Sequence, residues 1–418
     1  LIKSPINGAK GARSHMSAED WVTHREVLAT YLAPYEDLDL YPKDGPPNVA
    51  LDWNDDAIFA RILAQMNERM VPGDVPLNLT ATSLITNAWL YDGGEKYRTW
   101  VLTYLDAWKQ RTADNGGLIP DNVGPSGVIG ERMNGKWWGG YYGWRWPHGS
   151  FSIIESLLIA AANAALMTGD NSHFDLPRSQ LDRLWSLGRL EDGVFKVPKK
   201  HGDRGWFQYD PPDANFYVQL YHLTQAEEDR ERLERLQGRE RWRRVGKFGK
   251  GGQFGAAPWH AFVHGQNDRY PQTVQDAIYR ELTHRMAVLR QDNGNPAEWD
   301  IHHWQDINPV LAQGLAQLTM GTPGNIYHGG LLHARVRHFD PVRRRAGLPD
   351  DVAALVDRLT PDSTRLTLVN TSAVTERTVL VQAGAYGEHH FTTATSEHQV
   401  WEIGGRHLQV TLAPGAQI

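Results

Sequence analysis

The sequence predicts a mainly α-helical fold: an (α/α)n toroid of helical hairpins followed by a small antiparallel β domain. Three observations carry this prediction. Apolar residues recur at helical spacing in successive segments between residues 17 and 335. Short turns there alternate with long loops rich in Gly, Trp and Pro, as in hairpins that gather their long loops on one face. From Arg365 onward the period switches to the alternation of strands.

Taken in order, residues 1–15 read as a vector-derived leader, with Ser14-His15-Met16 at its junction. The helical domain is expected over 16–340 and a sandwich-like β module over 341–418. In residues 55–70, Ile58, Ile62, Leu63 and Met66 fall on one stripe; in 95–111, Trp100, Leu102, Leu105 and Trp108 do so. Residues 151–167 are apolar nearly all round, which predicts a helix buried on both sides and ended by Thr168-Gly169-Asp170. Further helices are expected over 180–187, 213–223, 226–236, 272–291 and 303–318, and a short one over 350–359. Strands are expected over 366–369, 378–382, 399–402 and 408–412, with turns at Asn370, Gly384, Gly404 and Gly415.

Composition narrows the field. The chain has 418 residues, 41% of them apolar and 22% charged, enough for a large core. No run reaches the roughly 18 consecutive apolar residues of a membrane helix, so no membrane partner is expected. The net charge of −6 argues against nucleic acid as the main partner. Cysteine is absent, which excludes disulfides, thiolate metal sites and a cysteine nucleophile. No phosphate-binding loop, dinucleotide fingerprint, nucleophile elbow or His-Glu-x-x-His motif occurs, so neither a cofactor nor a metal is expected. The basic stretch 230–250 includes Arg239, Arg241, Arg243 and Arg244 but is matched by Glu227, Glu228, Asp229 and Glu231, and reads as a solvated face with a weak pull on anionic glycans. The informative excess is aromatic: 16 Trp and 15 Tyr pack cores, and they also stack on sugar rings.

The densest candidate site is residues 115–122 with 136–149, where Gly and Pro forbid a regular helix. It gathers Asp121, Trp137, Trp138, Tyr141, Tyr142, Trp144, Arg145, Trp146 and His148: rings for stacking beside a cation and titratable groups. The plainer reading is a self-packed plug. A second cluster holds Glu298, Trp299, Asp300, His302 and His303; the adjacent histidines cannot share a helix face as a metal pair, and the carboxylates would equally serve as helix caps. A third holds Asn215, Tyr217 and His222, and a fourth His260 and His264, with His328 beyond; structural roles are the more common for these.

The expected toroid, aromatic loops and trailing β module together resemble the α/α-toroid glycoside hydrolases and polysaccharide lyases. The resemblance spans most of the chain and is architectural. It implies a carbohydrate-active enzyme with an oligo- or polysaccharide substrate, contacted by Trp137, Trp138, Tyr141, Trp144, Asn215, Tyr217, Trp299, His302 and His303. A lyase of this kind would use Arg145 against the uronate carboxylate, with His148, Tyr141 or Tyr142, and Asn215 around the leaving group. A hydrolase would use paired carboxylates, Asp121 with Glu298 or Asp300. A glycan-binding protein without turnover is the third alternative. Export and oligomeric state stay open, and sequons at Asn78 and Asn370 do not decide them.

Overall fold

The computed structural model describes residues 36–37, 55–70, 72–249, 252–295, 301–396 and 399–418; the expected leader lies outside them. The fold class differs from the sequence expectation. The chain is 42% helical and 20% strand, with 11 helices and four small antiparallel sheets among the described residues: a mixed α/β protein, with no toroid. It divides into two compact units, Leu1–Pro212 with Gln291–Gln305, and Asp213–Arg290 with Asp306–Ile418.

In the first unit, α1 (Asp56–Arg69) begins at Asp55, whose carboxylate accepts from the Ala57 and Ile58 N–H groups, and it buries Phe59, Ile62, Leu63 and Met66. Then come α2 (Thr82–Asp92), closed by Gly93 at φ 71°, and α3 (Glu95–Asp114). Helix α4 (Ser150–Thr168) is long and apolar enough to cross a membrane, yet 78% of that window is buried inside the protein. It is the core helix, packed against α2, α3 and α5 (Asp175–Ser186). Its buried Asn163 donates through Nδ2 to the Thr82 and Ser83 hydroxyls at 2.8 and 3.1 Å, which tethers α4 to the start of α2.

A three-stranded antiparallel sheet follows, of β1 (Arg189–Glu191), β2 (Val194–Gly202) and β3 (Gly205–Asp210). Its first turn is Asp192-Gly193 with φ 51° and 74°, the left-handed pair that matches the twist of flanking strands. The ribbon sets Lys200 opposite Phe207 and His201 opposite Trp206.

The second unit contains α6 (Ala214–Thr224), α7 (Glu227–Glu234) and α8 (Ala257–Val263), followed along the chain by α9 (Tyr270–Gln291), α10 (Ile301–Ile307) and α11 (Gln313–Met320). The single helix expected over 303–318 is thus two, interrupted at Pro309, which has no N–H for a helical bond. The strands are β4 (Val336–Asp340), β5 (Arg345–Ala346), β6 (Val352–Leu359), β7 (Thr364–Asn370), β8 (Arg377–Ala383), β9 (Phe391–Thr395), β10 (Val400–Gly405) and β11 (His407–Leu412). One sheet runs β11-β8-β4-β5, while β6-β7 and β9-β10 are hairpins.

Three of the four expected strands fall within these and the fourth, 399–402, overlaps β10 from Val400, but the helix expected over 350–359 is β6. Val352, Leu355, Val356 and Leu359 mimic helical spacing because the register shifts between Val356 and Arg358. The extra residue there turns both Val356 and Leu359 inward, which strict alternation would not do. Strand β4 also starts before the expected module boundary at 341.

Candidate functional site

Asp121 organises the aromatic loop of the first unit. Its Oδ2 accepts from the Gly139 and Trp144 N–H groups at 3.0 and 2.6 Å, and its Oδ1 from Gly140 N–H and Asn122 Nδ2 at 2.8 and 3.2 Å. The loop can wrap this closely only through glycine. A Cβ on Gly140 would stand 1.9 Å from the Asp121 carbonyl oxygen, and one on Gly143 would stand 2.2 Å from Oδ2. Burial outweighs the four donors and pushes the carboxyl up to about 6. Both oxygens are committed to the loop.

Upon this clamp sit two aromatic groups. The inner one centres on His201, whose ring lies 4.6, 4.7 and 4.8 Å from Trp137, Trp138 and Trp206. Burial among these indoles pulls His201 down to about 4, against the opposing pull of Asp203. Trp144 is fully buried below them and donates to the Ile119 carbonyl at 2.8 Å. The outer group is a half-exposed edge of Tyr141, Tyr142, His148 and Phe151. Tyr141 and Tyr142 meet edge to face at 4.5 Å, and the Tyr142 and His148 ring centres are 5.2 Å apart. Tyr142 is held at φ 53°, a left-handed conformation unusual for a bulky residue, between Gly140 and Gly143. Burial, with the Tyr142 phenol bonded beside it, lifts the Tyr141 hydroxyl well above its ordinary range.

The loop and the ribbon also carry two buried cations of different character. Arg145 is 2% exposed and gives Nη1 to Glu36 at 2.6 Å, while the other Glu36 oxygen accepts from Asp203 N–H at 2.8 Å. It fastens the loop to Glu36. Lys200 is buried on β2, with its Cγ 2.9 Å from where a Gly149 Cβ would stand, just after His148. Burial first, and the Arg145 charge second, lower its amine to about 8. No carboxylate among the described residues pairs with it.

The structure therefore brings together Asp121, Trp137, Trp138, Tyr141, Tyr142, Trp144, Arg145 and His148. Glu298, Trp299 and Asp300 lie outside the described residues, as does the His302 side chain; His303 bonds Asp292 at 2.6 Å. Asn215 and Tyr217 belong to α6 of the second unit, where the Asn215 side-chain Oδ1 accepts from Ala256 N–H and Tyr217 is buried. Among the described residues no three His, Asp or Glu side chains are grouped to hold a metal ion. Sequence reading passed over Lys200 and His201. The Asp192-Gly193 turn was the available signal, since it predicts a ribbon in which these neighbours face opposite ways. Chemically, the edge pairs a phenol and an imidazole, two proton carriers, beside rings on which a sugar can stack.

No curated protein and no solved structure matches the chain. The sequence pattern of one family matches two stretches of it, residues 1–196 and 189–316, which take in the whole aromatic loop and the β1–β3 ribbon. The chain belongs to that family, described as a domain of unknown function (DUF8034).

Proposed function

We propose that this protein is a carbohydrate-active enzyme that cleaves a uronate-containing oligo- or polysaccharide by β-elimination. The observation that carries the reading is the half-exposed Tyr142–His148 pair, ring centres 5.2 Å apart, on the edge of an indole-rich loop. In this reading the imidazole of His148 takes the proton from C5 of the uronate. The electron pair forms the C4–C5 double bond as the C4–O4 bond breaks, and the Tyr142 phenol gives its proton to the departing oxygen. Arg145 is engaged by Glu36, so the cation facing the uronate carboxylate is assigned instead to Lys200, packed against Gly149. Hydrolysis through Asp121 has less support, because both its oxygens already accept from the loop.

Replacing Tyr142 with Phe and His148 with Gln separates chemistry from binding. Each substitution is expected to lower turnover of uronate oligosaccharides by roughly 10²- to 10⁴-fold, with glycan affinity within a few-fold of wild type. Turnover unchanged in both variants would sink the assignment. Glycan binding without turnover in wild type would make the chain a binding protein instead.

A further inference from the structure

Arg335, in the second unit, immediately precedes β4. Its backbone N–H donates to the Met320 and Gly321 carbonyls at 3.0 and 3.3 Å, and its carbonyl accepts from Gly384 N–H at 2.9 Å, so the backbone is pinned on both sides. The side chain is another matter. Guanidinium Nε and Nη2 are sealed from solvent, and neither has a hydrogen-bond partner among the described residues. Two of the three guanidinium nitrogens have lost water there without gaining an acceptor, which native proteins rarely tolerate without a use.

Its surroundings offer donors rather than anions. His222 Nε2 lies 3.2 Å from the His333 carbonyl, and the His333 ring lies 6.0 Å from Tyr386. Burial holds His333 down at about 4; burial and then the Arg335 charge hold His222 down too. His389 lies at the surface and is likewise lowered by partial burial, with Glu388 pulling the other way and Arg335 a contributing charge. These imidazoles are therefore neutral at pH 7. Glu388 is the one carboxylate that acts on the Arg335 charge among the described residues, and its Oε2 is committed to the Tyr386 N–H at 2.8 Å.

We propose that Arg335 is the cation of an oxyanion-binding site, meeting an oxygen of a small carboxylate or phosphate at Nη1 with the His389 ring as second donor. Nη1 is the guanidinium nitrogen left open once Nε and Nη2 are sealed. Because folding has desolvated two of its three nitrogens, an anion arriving at the third meets a charge that Glu388 offsets only in part, in a medium less polar than water. The site is separate from the aromatic loop and does not depend on the function assigned to it.

The test is a titration of the full chain with acetate and, separately, inorganic phosphate, each against chloride at constant ionic strength, read by the histidine ring resonances. The His333 and His389 signals are expected to move and saturate with at least one oxyanion, while His284 on α9 stays still. Saturation by acetate alone identifies a carboxylate ligand, and by phosphate alone a phosphate ligand. Arg335→Gln should weaken binding at least about tenfold, the loss of one charge-assisted hydrogen bond. Should that variant not fold, His389→Gln, a substitution at an exposed residue, should weaken it several-fold. Failure of both anions to saturate the two resonances, or unchanged affinity in a folded Arg335→Gln variant, overturns the proposal.

Discussion

At Asp121 two opposing effects meet, burial that disfavours the charge and four donors that favour it. Asp121→Asn would turn an amide N–H₂ against backbone N–H groups that need acceptors. Each donor left bare costs about 1–3 kcal/mol, so the variant should melt well below wild type by circular dichroism. The pH dependence has a definite sign. The folded carboxyl keeps its proton up to about 6, whereas the unfolded one releases it near 3.8, so its contribution to stability falls as pH rises across that window. The gap between wild type and variant should accordingly be widest below the window and narrowest above it. Lys200 yields a second residue-scale prediction. Its amine, lowered to about 8, is charged below that pH, so turnover of uronates should decline as pH rises through it. Lys200→Met should remove that limb of the pH–rate profile. A decline that persists in the variant would take the carboxylate-facing role away from Lys200.

Local elements were legible where one physical rule acted alone. The stripe of α1 and the alternation of β8 and β11 could be read directly, because each buries one face with a single period, and α4 was legible from its apolar character all round. Helix α3 was read only in part, since Leu105 and Trp108 are buried but Val101 takes the place expected of the exposed Trp100. Where two rules overlapped, reading failed. The bulge in β6 gave a strand the apolar spacing of a helix, and Pro309 cut a helix whose apolar pattern ran on past it. The sequon at Asn370 shows the same ambiguity. Its side chain is fully buried at the end of β7, donating to the Thr375, Leu412 and Ala413 carbonyls at 2.8, 3.1 and 3.0 Å and accepting from Ser372 N–H. It ties β7 to the end of β11 and leaves no amide for a glycan. Asn370→Ala should destabilise by roughly 1–3 kcal/mol in denaturant melts, since the buried Leu412 carbonyl and the part-buried Thr375 and Ala413 carbonyls lose a donor. A change under about 0.5 kcal/mol would show that the amide is not a structural tie.

Across the whole molecule, the toroid expectation failed because helical periodicity says which face of a helix is buried, not how hairpins close on one another. The aromatic loop survived as a candidate because its residues are contiguous in sequence, whereas the Lys200 ribbon required a strand pairing to be seen. A global consequence follows from the histidines. His173, His201, His222, His260, His264, His333, His338 and His389 are all held below the usual 6.5, in each case chiefly by burial. Unfolding frees them to bind protons, so stability should be full above about 6.5 and fall steadily as pH drops toward about 4. Calorimetry in buffers of different ionisation enthalpy would register proton uptake on unfolding in that range; a flat profile would contradict the buried-neutral assignment. The central claim, elimination at the Tyr142–His148 edge, is tested most directly by incubating the wild-type protein with uronate-containing and neutral glycans. Ultraviolet absorbance of unsaturated uronate and the release of reducing ends would be followed together. Absorbance rising in step with reducing ends, on uronate glycans only, is the predicted result. Reducing ends without absorbance, or release from neutral glycans, would contradict it.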